Sequence, residues 1–378
     1  MIAAPNLPLA HGSNTIRLFL CGDVMLGRGI DQILPYPCAP QLHEDYVRSA
    51  LGYVTLAEDA NGPIKRPVTP SYVWGDALDE LKRARPDARV INLETSITRS
   101  EDYEPKGINY RMSPENAECL RATGIDCCLL ANNHMLDWGR SGLLETLATL
   151  KRLGIAGAGA GHDRAEAAAP AILPVAGKGR VLIFSFATAD SGVPRHWAAT
   201  EQGPGINLLT GLSEQTISRL ADRISRERRA GDVIVASIHW GPNWGYTVPD
   251  EQRQFAHGLI DHAGVSVVHG HSSHHPKAIE LYNERLILYG CGDFINDYEG
   301  IRGYEAFRDD LASMYFVGVA PANGALVSVE LVPLQIKRLR LNRATETDIA
   351  WLQQTLDRES RAFGTRIITA PGGRLSPQ

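Results

Sequence analysis

Short apolar runs recur along the chain, each bounded by turn residues. Several of them are rich in Val and Ile, which is typical of buried strands; they lie at Ile16–Cys21, Ala88–Leu93, Cys127–Ala131, Val181–Phe186, Val233–Ile238, Val265–Val268 and Leu286–Tyr289. Helical patterns separate many of them, at Tyr72–Ala84, Pro114–Ala122, Gly142–Leu153, Ser213–Arg229 and Asp250–Ala263. Because strands that alternate with helices build layered sheets, the sequence predicts an α/β fold.

The C-terminal part departs from this alternation. Ala312–Val319 and Ala325–Leu334 have the pattern of paired antiparallel strands that are joined by a turn at Pro321–Gly324. Asp348–Phe363 is amphipathic and is predicted to form a docked helix. We therefore expect one domain at 16–340, with an N-terminal extension at 1–15 and a C-terminal helix and tail at 341–378 docked on the domain.

Two segments, Tyr36–Pro70 and Asp102–Met112, are irregular and are predicted to be loops. Long loops without secondary structure are more often functional than accidental. We expect both segments to form walls over a site.

Composition excludes several classes of protein. The chain has 378 residues, of which 44% are hydrophobic, and its net charge is -5, so there is no overall attraction to nucleic acid or to an anionic membrane. No apolar window approaches the roughly 18 residues that a membrane span requires, and no secretory signal pattern is present at the N-terminus. We expect a cytoplasmic protein without nucleic-acid or membrane partners.

The six cysteines show no Cys-x-x-Cys spacing. Most of them sit in apolar, strand-like surroundings, where a reduced cysteine behaves as a small buried hydrophobe. A zinc site made of cysteines is therefore disfavoured.

Residues able to bind metal or move protons follow nearly every predicted strand. Because sites in α/β sheets form where the carboxyl ends of strands converge, these residues are expected to meet. They are Asp23 after the first strand, Glu94 after the second, Asn133, His134 and Asp137 after the third, His239, then His269, His271, His274 and His275, and finally Asp293.

The order of these motifs carries a family resemblance. Gly-Asp-Val-Met, Asn-Leu-Glu, Ala-Asn-Asn-His, His-Trp-Gly, Gly-His-x-x-His and Tyr-Gly-x-Gly-Asp-Phe, spread between about Leu18 and Leu334, resemble the CapA family. That family is named for poly-gamma-glutamate capsule synthesis and belongs to the calcineurin-like metallophosphoesterase superfamily. The resemblance implies an α/β (α+β) calcineurin-like fold, with two mixed β-sheets sandwiched together and flanked by helices.

The resemblance also implies a metal site. Metallophosphoesterases hold two cations between Asp-x-His, a bridging Asp, Asn-His, a lone His and Gly-His-x-His, and matching these motifs predicts as ligands Asp23, Glu94, Asn133, His239 and His271. Met25 stands where the His of Asp-x-His is expected, and a thioether does not replace imidazole on a hard or borderline cation. Oxygen donors from Asp23, Glu94 and Asn133 suit Ca²⁺, Mg²⁺ or Mn²⁺. A divalent ion is therefore predicted, with Ca²⁺ or Mn²⁺ favoured and Zn²⁺ as the alternative.

With one metal position impaired, the remaining groups favour acid–base chemistry over phosphoryl transfer. His134 and His274 are predicted as opposed proton carriers, steadied by Asp137 and Asp293, which suits removal of a proton from a Cα and its return on the other face. Members of the CapA family that invert a peptide residue, including lasso-peptide epimerases, are the nearest functional resemblance. The predicted substrate is the C-terminus of a precursor peptide, gripped by Trp240, Trp244, Tyr246 and Tyr298.

Two alternatives stay open. The first is phosphoester hydrolysis, because most superfamily members with this His/Asn/Asp set are hydrolases. The second is a non-catalytic factor in poly-gamma-glutamate binding or assembly, which would require a cationic groove.

Overall fold

The computed structural model describes residues 14–378, so the predicted extension at 1–15 lies almost entirely outside the described residues. The strands of the described part are β1 (Ile16–Val24), β2 (Ala88–Leu93), β3 (Ser96–Ile97), β4 (Arg111–Met112), β5 (Cys127–Leu129), β6 (Ala156–Ala158), β7 (Ala160–Gly161), β8 (Ala171–Val175), β9 (Gly179–Ala187), β10 (Gly205–Ile206), β11 (Asp232–His239), β12 (Val267–His271), β13 (Ile279–Tyr282), β14 (Arg285–Leu288), β15 (Asp293–Ile295), β16 (Leu311–Val319), β17 (Leu326–Ile336), β18 (Leu341–Arg343), β19 (Ile367–Ala370) and β20 (Arg374–Pro377).

Helices connect these strands, and four single turns of 3-10 helix lie at Tyr72–Trp74, Ala189–Ser191, Arg195–Trp197 and Arg361–Phe363. The α-helices are α1 (Arg28–Ile33), α2 (Leu51–Asn61), α3 (Ala77–Ala84), α4 (Glu118–Ala122), α5 (Gly139–Leu153), α6 (Arg164–Ala168), α7 (Glu214–Glu227), α8 (Asp250–Ala263) and α9 (Glu346–Ser360).

Two large mixed sheets dominate the fold. The first has the order β19-β20-β17-β16-β1-β2-β5-β6, with β15 beside β1 and β18 beside β17. The second has the order β13-β14-β12-β11-β9-β8. In both sheets the central strands that carry the motifs run parallel, and antiparallel strands are added towards the edges.

The core is arranged in layers, as β1 illustrates. Leu18 and Leu20 pack in a cluster that also contains Val181 and Val233 of the second sheet, whereas Phe19 and Cys21 face the opposite way, into a cluster with the helices of the first sheet. Successive side chains of a strand point to opposite faces, so the first sheet is buried on both sides. Helices α7 and α8 cover the outer face of the second sheet. The predicted arrangement of two mixed sheets flanked by helices is confirmed.

Two segments differ from the prediction. Tyr36–Pro70 is not irregular throughout, because it contains helix α2 with Tyr53 and Val54 buried. The segment 341–378 does more than dock a helix: β19 and β20 extend the first sheet through a pairing of Leu375 with Leu331. The division into 1–15, 16–340 and 341–378 otherwise stays a prediction.

The cysteine prediction is confirmed, since all six are free and buried. Within residues 14–378, no helix combines the length and the apolar character needed to cross a membrane. The cytoplasmic location stays a prediction.

Candidate functional site

Strand register brings the predicted ligands together. Asp23, near the end of β1, is opposite Asn92 of β2 and Asp293 of β15. In the second sheet, His239 at the end of β11 is opposite His271 at the end of β12. The two sheets meet here, with His271 Nδ1 3.7 Å from Asp23 Oδ1. Carboxylates from one sheet and imidazoles from the other therefore share one buried centre.

Two groups of side chains at this centre have the geometry to hold a cation, and both contain Asp23. One is Asp23 with His239 and His271, and the other is Asp23 with His274 and Asp293; in each group the ligand atoms lie within 4.8 Å of one another. His274 and Asp293, predicted as a proton carrier and its partner, thus also lie where ligands would.

Neither of these two groups contains Glu94, and the oxygen atoms predicted for calcium also have other partners. The Asn92 amide lies between the carboxylates and donates to Asp23 Oδ1 at 2.7 Å and to Glu94 Oε2 at 3.3 Å. Asn133 Oδ1 lies 3.1 Å from His239 Nε2. Because the converging donors mix carboxylate and imidazole, they fit Mn²⁺ or Zn²⁺ better than Ca²⁺, which prefers an all-oxygen shell.

The electrostatics of the carboxylates also fit a cation. Asp23, Glu94 and Asp293 are each at most 1% exposed. Burial together with the charge of Asp293 raises the pKa of Asp23 to about 7, and burial together with Asp23 raises the pKa of Glu94 well above its ordinary value. Closely spaced buried carboxylates resist ionisation together, and a bound divalent ion would relieve that repulsion.

The imidazoles of the second sheet form a connected row. His239 Nδ1 lies 2.8 Å from His271 Nδ1, and Ser237 Oγ lies 2.8 Å from His271 Nε2 and 3.0 Å from His269 Nδ1. His269 Nε2 donates to the carbonyl of Cys21 at 2.8 Å. Burial lowers the pKa values of His239 and His271 well below the ordinary value, so both are neutral, as metal ligands must be.

One predicted proton carrier, His134, follows β5 in the first sheet. Its Nδ1 lies 2.6 Å from Asp137 Oδ2, and its Nε2 is 3.7 Å from Glu94 Oε1. Burial lowers the pKa of His134 to about 4, against the opposing charge of Asp137. Burial therefore keeps the His134 imidazole neutral, and its Nε2 lies towards Glu94.

The other predicted carrier, His274, follows β12 in the second sheet. Its Nδ1 lies 2.9 Å from Asp293 Oδ1, and Asn296 Nδ2 donates to Asp293 Oδ2 at 2.9 Å. Burial alone would lower the pKa of His274, but the charge of Asp293 outweighs it and the pKa is raised. The structure thus brings together both predicted His–Asp pairs.

Lys106, which the sequence did not single out, lies beside His134. Its Nζ is 2.8 Å from Asp137 Oδ1 and 3.3 Å from His134 Nδ1, and it contacts the carbonyl of Asn133. It belongs to Asp102–Met112, so this loop does form a wall of the site. A lone lysine in a loop carries no motif, which is why the sequence did not reveal it.

A buried arginine ties Tyr36–Pro70 to the site. Arg28 Nη2 lies 2.5 Å from Asp297 Oδ1, and Arg28 Nη1 lies 3.0 Å from Glu44 Oε1 and donates to Tyr53 Oη at 2.9 Å. Its φ of 47° falls in the left-handed region, which non-glycine residues rarely adopt. Asp297 precedes Tyr298 in the chain, so the contact with Arg28 also holds the backbone next to Tyr298 in place.

Two of the predicted aromatic residues lie beside His274, and a third lies beside His275. Trp244 lies 5.3 Å from the ring of His274 and Tyr298 lies 5.4 Å from it. Tyr246 lies further out, 4.5 Å from His275, and Tyr304, not predicted, stacks on Trp244 at 4.0 Å.

The structure does not place Trp240 with the other predicted aromatic residues. It is 3% exposed and packs in the core of the second sheet, where its Nε1 donates to the carbonyl of Tyr289 at 3.0 Å. The side chain therefore belongs to the core of the second sheet. Met25 is also fully buried, and its sulfur receives the Tyr298 hydroxyl at 3.6 Å.

Two stacked mixed sheets with buried carboxylates and imidazoles at their strand ends have the architecture of the calcineurin-like metallophosphoesterase fold. A family model described as "Bacterial capsule synthesis protein PGA_cap" matches residues 17–298. The chain belongs to this family, which confirms the resemblance to CapA proteins.

Individual proteins are similar over most of their length. A "Probable polyglutamine synthesis accessory protein" of Mycobacterium tuberculosis is 46% identical over 97% of both chains. The "PGA biosynthesis protein CapA" of Bacillus subtilis is 28% identical over 81% of this chain and 68% of its own. A solved phosphatase from Mycoplasma pneumoniae is 11% identical, with a TM-score of 0.48, over 87% of this chain and 95% of that one.

Proposed function

We propose that this protein is a metal-dependent epimerase that inverts a Cα of a peptide substrate. The observation that carries the proposal is the pair of His–Asp contacts, His134 with Asp137 and His274 with Asp293, whose imidazoles follow strands of different sheets, β5 and β12. Inversion requires one group to take the proton and another to deliver a proton to the opposite face.

The two imidazoles are suited to these complementary roles. In both, Nδ1 is engaged by a carboxylate, which leaves Nε2 as the nitrogen that exchanges a proton with substrate. His134, neutral because of burial, accepts the proton as the Cα–H bond breaks. His274, whose pKa is raised by the charge of Asp293, carries the proton that is donated as the new Cα–H bond forms. In the reverse direction the roles are exchanged.

The group formed by Asp23, His239 and His271 would hold the cation, and we propose Mn²⁺ or Zn²⁺. When bound, such an ion polarises a carbonyl and so makes the adjacent Cα–H more acidic. Trp244 and Tyr298 would orient the substrate beside His274.

A peptide substrate agrees with the relatives named for the synthesis of polyglutamine and poly-gamma-glutamate. We propose the C-terminus of a precursor peptide as the reacting end, in the manner of lasso-peptide epimerases, and the cytoplasm as the location.

Incubation in deuterated water tests the proposal. The purified protein, loaded with Mn²⁺ or Zn²⁺, is mixed with peptides encoded beside its gene, and mass spectrometry follows deuterium at Cα. One deuteron at one position, absent with His134→Ala, is expected. Lack of incorporation with every such peptide would reject epimerisation.

One observation favours phosphoester hydrolysis as the second candidate. The two possible cation groups share Asp23, and a shared ligand is typical of two-metal hydrolytic sites. Hydrolysis predicts two metal ions per chain and turnover of an aryl phosphate. A single ion without turnover would exclude it.

A further inference from the structure

A groove lies between helices α6 and α7, outside the centre described above. Its volume is about 580 Å³. Its apolar lining includes Phe186 and Leu220, which are 1% and 8% exposed and belong to the core of the second sheet. The floor of the groove is thus continuous with the core of the second sheet.

One wall of the groove carries a stripe of arginines. Arg219, Arg223 and Arg226 all line it, and Arg164 lines it from α6. The three on α7 are spaced four and three residues apart, so they project from one face of the helix. At a rise of about 1.5 Å per residue the stripe is about 10 Å long.

The stripe has few negative partners. Across the described residues 14–378, no carboxylate lies within salt-bridge distance of Arg219, Arg223 or Arg226. Arg219 instead donates to the hydroxyls of Thr210 and Thr216 at 3.1 and 3.3 Å. Arg164 pairs with Glu201 at 2.7 Å, and Asp222 is an acidic residue on the lining. The groove therefore has an excess of positive charge in a protein whose net charge is -5.

The groove adjoins the catalytic centre through a single segment, residues 187–209. On one side of this segment Trp197 lies 5.1 Å from Lys106 Nζ, and a side chain at Gly192 would lie 3.4 Å from the Asn133 amide. On the other side Ala198, Ala199 and Leu208 line the groove. A peptide bound in the groove would therefore be separated from Lys106 and Asn133 only by the segment 187–209.

From this placement and charge, we infer that the groove binds an acidic peptide segment in an extended conformation. Side chains on one face of an extended peptide recur at about 6.6 Å, close to the roughly 6 Å between Arg219 and Arg223 along α7. Guanidinium groups bind carboxylates in a bidentate manner. Single-stranded nucleic acid is disfavoured, because such sites use exposed aromatic rings for stacking and the ring of Phe186 is 1% exposed. The inference rests on the proposed function only in that the substrate is taken to be a peptide.

Fluorescence anisotropy with labelled octa-L-glutamate tests the groove at about 50 mM salt, where screening is weak. Arg223→Gln with Arg226→Gln is expected to weaken binding about tenfold, through the loss of two charge pairs. The matched control is Arg228→Gln with Arg229→Gln, which removes the same charge from exposed positions outside the groove and should change affinity by less than about twofold. Circular dichroism confirms that both variants are folded.

Two results would overturn the inference. If both double variants weaken binding equally, the peptide is attracted by overall charge and not by the groove. If an oligothymidylate of equal charge binds as tightly and responds to the same variants, the groove is a general anion surface.

The same samples separate this inference from the proposed reaction. Octaglutamate binding that depends on Arg223 and Arg226, together with no deuterium exchange, would leave the groove in place and reject epimerisation. Deuterium exchange at Cα, together with octaglutamate binding that is unchanged in the Arg223 and Arg226 variant, would reject only the inference about the groove.

Discussion

Replacing Asp137 by Asn tests the role of the His134 pair most directly. Asp137 is fully buried. Its Oδ2 receives both the Tyr110 N–H and His134 Nδ1 at 2.6 Å, and its Oδ1 faces Lys106 Nζ at 2.8 Å. An amide has only one oxygen, so it cannot satisfy both sides.

The size of the effect follows from that geometry. If the amide oxygen takes the place of Oδ2, the NH₂ group faces the ammonium of Lys106. If the nitrogen takes it, the Tyr110 N–H and His134 Nδ1 lose their acceptor. Either orientation leaves a buried donor unpaired, which costs about 1–3 kcal/mol of stability. His134 loses its orientation, and we expect exchange at Cα to fall by about 10²–10⁴-fold, the usual contribution of a positioned general base.

Three measurements decide the outcome: the rate of deuterium incorporation, the metal content by mass spectrometry, and the free energy of unfolding in urea. Asp232→Asn is the matched control, because Asp232 is also a buried carboxylate paired with a cation, Arg180, but lies at the opposite end of β11 from His239. The Asp232→Asn variant should have a lower free energy of unfolding and an unchanged rate of deuterium incorporation. A rate for Asp137→Asn within about threefold of the unsubstituted protein would refute the assignment of His134, and loss of metal would show that Asp137 supports the cation instead.

Other substitutions test separate parts of the structure. His239→Ala should lose bound metal, whereas His274→Ala should retain metal and lose exchange; metal loss in the second variant would make His274 a ligand. Asp357→Asn should cost about 1–2 kcal/mol at neutral pH. The hydrogen bond from Arg366 holds the pKa of Asp357 well below its ordinary value, so this stabilisation is present above about pH 4 and is lost as the pH falls further; urea unfolding at several pH values should show the difference shrinking. Arg28→Met leaves two buried carboxylates without their cation and should lower the free energy of unfolding by about 3–5 kcal/mol; a loss below about 1 kcal/mol would contradict a buried ion network.

Local patterns were sufficient to predict much of the fold. β2 at Ala88–Leu93 and α8 at Asp250–Ala263 begin and end where the sequence predicted. β2 is buried and α8 has one buried apolar face, so both carry a clear apolar pattern, and a left-handed glycine, Gly264, ends the helix. Asp23, His239 and His271 lie at the carboxyl ends of their strands, as expected, because sites in sheets of this kind form there.

Contacts between distant segments were not predictable. The Asn92 amide lies between two carboxylates only because β1 and β2 pair in one particular register, with an irregularity between Leu20 and Asp23. Trp240 follows a motif histidine but is buried, since its indole packs against Gly270 of the neighbouring strand, where a Cβ would lie 2.7 Å from its Nε1. Each of these contacts joins residues that are far apart in the sequence, so no local pattern could predict it.

The position of β1 has a consequence for how the chain is made. β1 is paired on one side with β16, with Ile16 opposite Val319, so that edge stays open until most of the chain has left the ribosome. Contacts this far apart in sequence slow folding, and an unpaired strand edge invites aggregation in the meantime. A nascent or truncated chain that stops at residue 298, where the family match ends, would hold the residues of the candidate site but leave its central strand half covered. Biosynthesis of this protein should therefore depend on chaperones more than its final core would suggest.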